Sequence, residues 1–101
     1  MSDIQVELPR PQLEIFCRKW KIKELALFGS VIRNDFRADS DVDVLISFLP
    51  DEHWSMFDWI DMQAELSAVF SRKVDLVEKA SLRNPFRRRT ILESNEVIYA
   101  A

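Results

Sequence analysis

One glycine and one cysteine in 101 residues set narrow limits on this chain. A lone cysteine, Cys17, cannot close an intrachain disulfide, and its presence fits a reducing cytosol. No apolar run approaches the ~20 residues that span a bilayer, and the N-terminus lacks the pattern of a secretory leader. The expectation is a soluble, cytoplasmic protein with no membrane role. Positive charge is also in short supply, since 14 Lys and Arg stand against 17 Asp and Glu, for a net charge of -3. Extended nucleic acid and anionic membranes repel a chain of that sign, so neither is expected as a partner. A single nucleotide is a different matter, because its binding depends on local groups. What is present is a composition 48% hydrophobic and 31% charged, which suits one small folded domain.

The sole glycine is Gly29, in Leu25-Ala26-Leu27-Phe28-Gly29-Ser30. Other turns must be made with Pro, Asp, Asn and Ser. Glycine permits positive φ and lets the backbone approach another group closely. Its single use marks where to look first.

Residues 1–10 are polar and punctuated by proline, a loose lead-in to one domain over 11–101. From Pro11 the apolar Leu13, Phe16, Cys17 and Trp20 fall at helical spacing, and Cys17 on that stripe reads as a buried small hydrophobe. Glu24 to Phe28 reads as a short buried strand leading into Gly29, and Gly29-Ser30 as the opening of a helix. Asp41 to Phe48 alternates, with Val42, Val44, Ile46 and Phe48 on one face and Asp41, Asp43, Leu45 and Ser47 on the other. Ser55 with Asp58 resembles a capping box, starting a helix to about Phe70 with Trp59, Met62, Leu66, Val69 and Phe70 toward the core. Lys73 to Glu78 is a third strand, Asn84-Pro85 caps a last helix to about Leu92, and Val97-Ile98-Tyr99 forms a final strand. The pattern implies an α/β (α+β) fold, a small mixed sheet flanked by helices.

Three features converge on the first two strands. A strand delivers Gly29-Ser30 into a turn whose backbone N–H groups can cradle a phosphate. Ten residues then separate Ser30 from Asp41. Asp41 and Asp43 lie two apart on one strand, so both carboxylates project from one face. Magnesium takes hard oxygen ligands, typically one or two carboxylates completed by water and substrate phosphates. Asp75 adds a third carboxylate if its strand is a neighbour. Alone, Asp-x-Asp or Gly-Ser more often marks a turn or solvated edge; the ordered combination points to chemistry.

The segment Phe28-Gly29-Ser30-Val31-Ile32-Arg33 through Asp39-Ser40-Asp41-Val42-Asp43 resembles the signature of the DNA polymerase beta superfamily. More narrowly it is similar to the minimal nucleotidyltransferases, the MNT-type antitoxins that pair with HEPN toxins. That signature is Gly-Ser, ten residues, then Asp-x-Asp, with arginine three after the serine and Asp-Ser before the aspartates. Val74-Asp75-Leu76-Val77 resembles the strand carrying the family's third carboxylate, and Arg89 to Glu93 with Val97-Ile98-Tyr99 resembles its usual ending. Asn34 departs from the pattern, since many members have glycine there; asparagine tolerates left-handed backbone better than other side chains do.

The resemblance implies a polymerase-beta-like nucleotidyltransferase fold and a Mg²⁺-dependent transfer of AMP from ATP. It implies that Asp41, Asp43 and Asp75 are catalytic and hold two Mg²⁺ ions, with Asp75 also acting on the acceptor hydroxyl. Gly29, Ser30 and Arg33 would bind the nucleotide. Arg37 reads equally as a phosphate contact or a surface residue. Arg87-Arg88-Arg89 reads first as a solvated helix face, with a role against an acidic partner or a nucleotide as the lesser alternative, and His53 is assigned nothing. The aromatic cluster Trp54, Phe57 and Trp59 reads as core and interface. With no length left for acceptor recognition, the expected acceptor is a protein, a tyrosine of a HEPN-type toxin, in a homo- or hetero-oligomer. Two alternatives stand beside it: a non-catalytic antitoxin that neutralises by binding, and a small-molecule nucleotidyltransferase.

Overall fold

Alternation in the strands places apolar side chains on both faces of a sheet, and each face is covered in turn. The computed structural model describes residues 6–33, 37 and 39–101. In chain order the elements are α1 (Arg10–Lys19), β1 (Ile22–Phe28), a 3-10 turn (Gly29–Ile32), β2 (Val42–Phe48), α2 (Met56–Phe70), β3 (Val74–Glu78), a second 3-10 turn (Lys79–Ser81), α3 (Pro85–Glu93) and β4 (Asn95–Ala100). The described strands form one mixed sheet in the order β3-β2-β1-β4. β1 runs antiparallel to both β2 and β4, whereas β2 and β3 are parallel and joined through α2. A parallel pair needs such a crossover, which explains the long helix between them.

The register divides the side chains cleanly. Leu25 and Leu27 pair with Ile46 and Val44 on one face, and Ala26 and Phe28 pair with Leu45 and Asp43 on the other. The first face meets α1 and α2 in the larger core cluster, where Leu13, Phe16, Met62 and Leu66 are buried. The second face carries a smaller cluster of Ala26, Phe28, Leu45, Leu82 and Ile91, which α3 helps to cover. Cys17 is buried in the larger cluster, and burial pushes its thiol up to about 12. It is protonated at neutral pH and serves as a small apolar group.

α2 begins as its sequence requires. The Ser55 hydroxyl accepts from the Asp58 N–H at 3.1 Å, and the Asp58 carboxylate accepts from the Ser55 N–H at 2.9 Å. The first turn of the helix leaves Met56 and Phe57 exposed, while Trp54 packs edge-on against Trp20 with ring centroids 5.2 Å apart. Trp54 and Trp59 flank Phe48, so the aromatic cluster splits into a packed part and an exposed part.

Several boundaries differ from expectation. β1 starts at Ile22, two residues before Glu24, and β4 extends to Asn95 and Ala100 on either side of its expected core. Ile22 is gained by pairing with Phe48 of β2, and the two ends of β4 by pairing with Phe28 and Glu24 of β1. Gly29-Ser30 opens a four-residue 3-10 turn rather than an α-helix. Besides Asp51 and Ser71, Lys21 takes positive φ, a turn residue that the expected Pro, Asp, Asn and Ser set did not contain. In the N-terminal lead-in, Val6 and Leu8 pack against the larger cluster, and residues 1–5 lie outside the described residues. The Asn34 turn lies outside them as well. Among the described residues, no helix is long and apolar enough to cross a membrane.

Candidate active site

β1 ends at Phe28, and the chain turns at once through Gly29 with φ +75. Phe28 is the cross-strand partner of Asp43, so the turn sits directly over the start of β2. A Cβ at position 29 would collide with Asp43 Oδ2 and lie 3.2 Å from its Cγ. Glycine is needed there twice over, for the left-handed conformation and for the carboxylate pressed against its backbone. Ser30 follows in the same turn, which closes with the Arg33 N–H donating to the Ser30 carbonyl at 2.9 Å.

The three aspartates share one sheet face. Asp43 and Asp75 are register partners in the parallel β2–β3 ladder, so their side chains project to the same side. Asp41 stands two residues before Asp43, immediately ahead of β2. The start of β2 is fixed by the Val42 N–H donating to the Lys73 carbonyl at 2.9 Å. Upstream, Arg72 donates from its guanidinium to the carbonyl of Arg37 at 3.1 Å and to that of Ser40 at 3.4 Å. This strap holds the end of the loop that delivers Asp41. Lys73 reaches Asp41 only at 4.0 Å with both side chains well exposed, so that pair contributes little.

Charge accumulates at Asp43. It is half-buried, whereas Asp41 and Asp75 are exposed. Desolvation raises its carboxyl pKa above the ordinary value, and the charges of Asp75 and Asp41 raise it further. Arg87 and Arg33 act in the opposite direction on Asp43. Among the described residues, no three carboxylate, imidazole or thiol groups form a ready-made metal cage. An open carboxylate face of this kind fits Mg²⁺, which leaves much of its shell to water and phosphate.

The structure thus brings Gly29, Ser30, Arg33, Asp41, Asp43 and Asp75 to one edge of the molecule. Arg37 contributes its backbone to a tight turn with Ser40 and exposes its side chain. His53 is far along the chain from this edge, beyond the opposite end of β2. The sequence pattern does not single out Arg72, and it reads Arg87 with its neighbours mainly as a solvated helix face. Arg87 had a usable signal, because it lies four residues before the apolar Ile91 and therefore on the same side of α3. Arg72 had none, since its role depends on which loop passes beside it.

Residues 10–98 match the nucleotidyltransferase domain family. The protein adenylyltransferase MntA of Thermococcus cleftensis is 36% identical over 81 residues, covering 80% of this chain and 77% of that one. A chain in the crystal structure of a toxin–antitoxin with AMP-PNP superposes with a TM-score of 0.72 at 18% identity, over 93% of this chain and 75% of that one. A chain in the complex of a tri-AMPylated Shewanella oneidensis HEPN toxin with its MNT antitoxin gives 0.64 at 17% identity, over 91% and 70%. At those identities the two superpositions establish a shared fold.

Proposed function

The chain belongs to the nucleotidyltransferase domain family, and from that footing we propose that it transfers AMP from ATP to a tyrosine hydroxyl of a cognate HEPN-type toxin and so acts as its antitoxin. The observation that carries the reading is the single carboxylate face, with Asp43 lodged against Gly29 and paired in register with Asp75. The name of the Thermococcus relative and the AMPylated toxin in the Shewanella complex support the choice of acceptor.

Asp41, Asp43 and Asp75 are the residues that would hold two Mg²⁺ ions. When bound, magnesium neutralises phosphate charge and stabilises the oxygens that attack and depart. The backbone N–H groups of the Gly29-Ser30 turn and the Ser30 hydroxyl donate to phosphate oxygens, and Arg33 adds a cation beside them. The acceptor oxygen attacks the α-phosphorus in line with the leaving group. One bond forms from tyrosine oxygen to phosphorus, and the bond from phosphorus to pyrophosphate breaks. In this reading Asp75 takes the tyrosine proton. Exposed on the sheet face, it is free to pass that proton to solvent.

Catalysis and simple binding make different demands on the aspartates. Co-expression of the toxin with wild-type chain restores growth, whereas co-expression with the Asp41→Asn, Asp43→Asn double variant leaves the toxin active although the two proteins still co-purify. Equal rescue by the double variant favours the antitoxin that acts by binding. The small-molecule reading gains if AMP appears on a small acceptor and never on the toxin.

A further inference from the structure

The arginine run at 87–89 is three residues with three different surroundings. Asn84 caps α3 by accepting from the N–H groups of Phe86 and Arg87 at 3.0 and 3.1 Å, which fixes the helix phase at its first turn. Ile91, one turn after Arg87, is buried against Phe28 and Leu45 in the smaller cluster. Those two strand residues flank Asp43, Phe28 as its cross-strand partner and Leu45 two places along β2. The phase that buries Ile91 therefore turns Arg87 toward the carboxylate face. Its charge is felt at Asp43 ahead of that of Arg33.

The other two arginines are committed elsewhere. Arg89 donates from Nε to Glu93 at 3.0 Å along the exposed side of the helix. Arg88 borders a cleft with Lys23, Glu24, Ser47 and Lys79. Ser47 lies four residues along β2 from Asp43, toward the opposite end of the sheet. Arg87 is exposed, and among the described residues it has no ion pair like that of Arg89. A cation whose charge is felt at Asp43 without closing on it is placed for an anion that arrives with the ligand.

We propose that Arg87 grips the polyphosphate of the nucleoside triphosphate, on the α3 side of the site that Arg33 approaches from the Gly29 turn. This assignment rests on the nucleotide reading above, because the guanidinium needs phosphate oxygens to hold. Arg87 is then a binding residue specific for the phosphates beyond the first. A planar guanidinium meets two phosphate oxygens with a rigid fork of parallel N–H groups, a geometry that a lysine ammonium lacks.

The test is calorimetric binding of Mg·ATP, inorganic tripolyphosphate and AMP to the full chain and four variants. Arg87→Ala weakens ATP and tripolyphosphate by about tenfold or more, the loss expected for a charge-assisted hydrogen bond. AMP binding is unchanged in Arg87→Ala. Arg87→Lys is intermediate, and Arg88→Ala and Arg89→Ala stay close to wild type. The side chain is exposed, so these substitutions leave the core intact. Parallel loss of AMP and ATP in Arg87→Ala, or equal weakening by Arg88→Ala, overturns the assignment. Unaltered ATP binding in Arg87→Ala overturns it too, while leaving the nucleotidyltransferase reading in place. A wild-type chain that binds ATP no better than AMP overturns both.

Discussion

Position 29 answers to backbone and side chain at once. The backbone has φ +75, and Asp43 occupies the space a Cβ would need. Gly29→Ala therefore destabilises the fold by roughly 1–2 kcal/mol from the left-handed conformation alone, and the collision displaces Asp43 as well. Urea unfolding shows the first effect as a lower midpoint with unchanged slope. Loss of Mg·ATP binding beyond what the residual folded fraction explains shows the second. Asp43 itself carries a stability penalty. Its pKa is raised by desolvation and then by Asp75 and Asp41, so the folded chain holds that proton more tightly than the unfolded chain. The stability this contributes is present below the ordinary aspartate range and is lost as pH rises through the raised folded value. Asp43→Asn removes the loss. Without divalent cation the variant unfolds at a higher urea midpoint than wild type at neutral pH, and the two curves converge in acid. Identical midpoints at neutral pH contradict the repulsion described here.

Among the elements, those with a complete local code were legible from sequence. α2 has its cap, its reciprocal acid and its apolar stripe within 16 residues, and Ser55 and Phe70 bound it as read. Ser55→Ala costs about 1 kcal/mol in urea unfolding through loss of the cap. A smaller change would mean that packing of Met62 and Leu66 alone sets the start of the helix. The alternation of β2 likewise placed Asp41 and Asp43 on one face. What local code cannot supply is which strands are neighbours. The third carboxylate depends on the parallel register that sets Asp75 beside Asp43, and sequence leaves that as a condition. The family resemblance supplied the alignment that alternation could not. Gly-Ser is compatible with an α-helix or a tighter turn, and sequence alone does not separate them; the element that forms is the four-residue 3-10 turn Gly29–Ile32. If Asp75 acts on the acceptor, Asp75→Asn keeps much of the Mg·ATP affinity and loses transfer, the mark of an interaction made in the transition state. Full transfer by a folded Asp75→Asn chain contradicts that role.

Over the whole molecule, the sheet separates two tasks. One face is packed by α1 and α2 and supplies the larger core, and the other gives up part of its burial to the carboxylates and keeps only a small cluster under α3. Asp41, Asp43 and Asp75 gather on that second face, and Asp75 and Asp41 both raise the pKa of Asp43 there. The exposed Met56 and Phe57 lie on the helical side of the sheet, away from the aspartates. Transfer to a protein requires that the acceptor hydroxyl reach the open face instead. The measurement that bears on this most directly is the intact mass of a cognate HEPN-type toxin after incubation with the chain, ATP and Mg²⁺. The expected result is a toxin heavier by one or more adenylyl groups located on tyrosine, with no adduct when Asp41 and Asp43 are both asparagine. An unmodified toxin that is nevertheless neutralised, by wild type and double variant alike, would contradict adenylylation as the function.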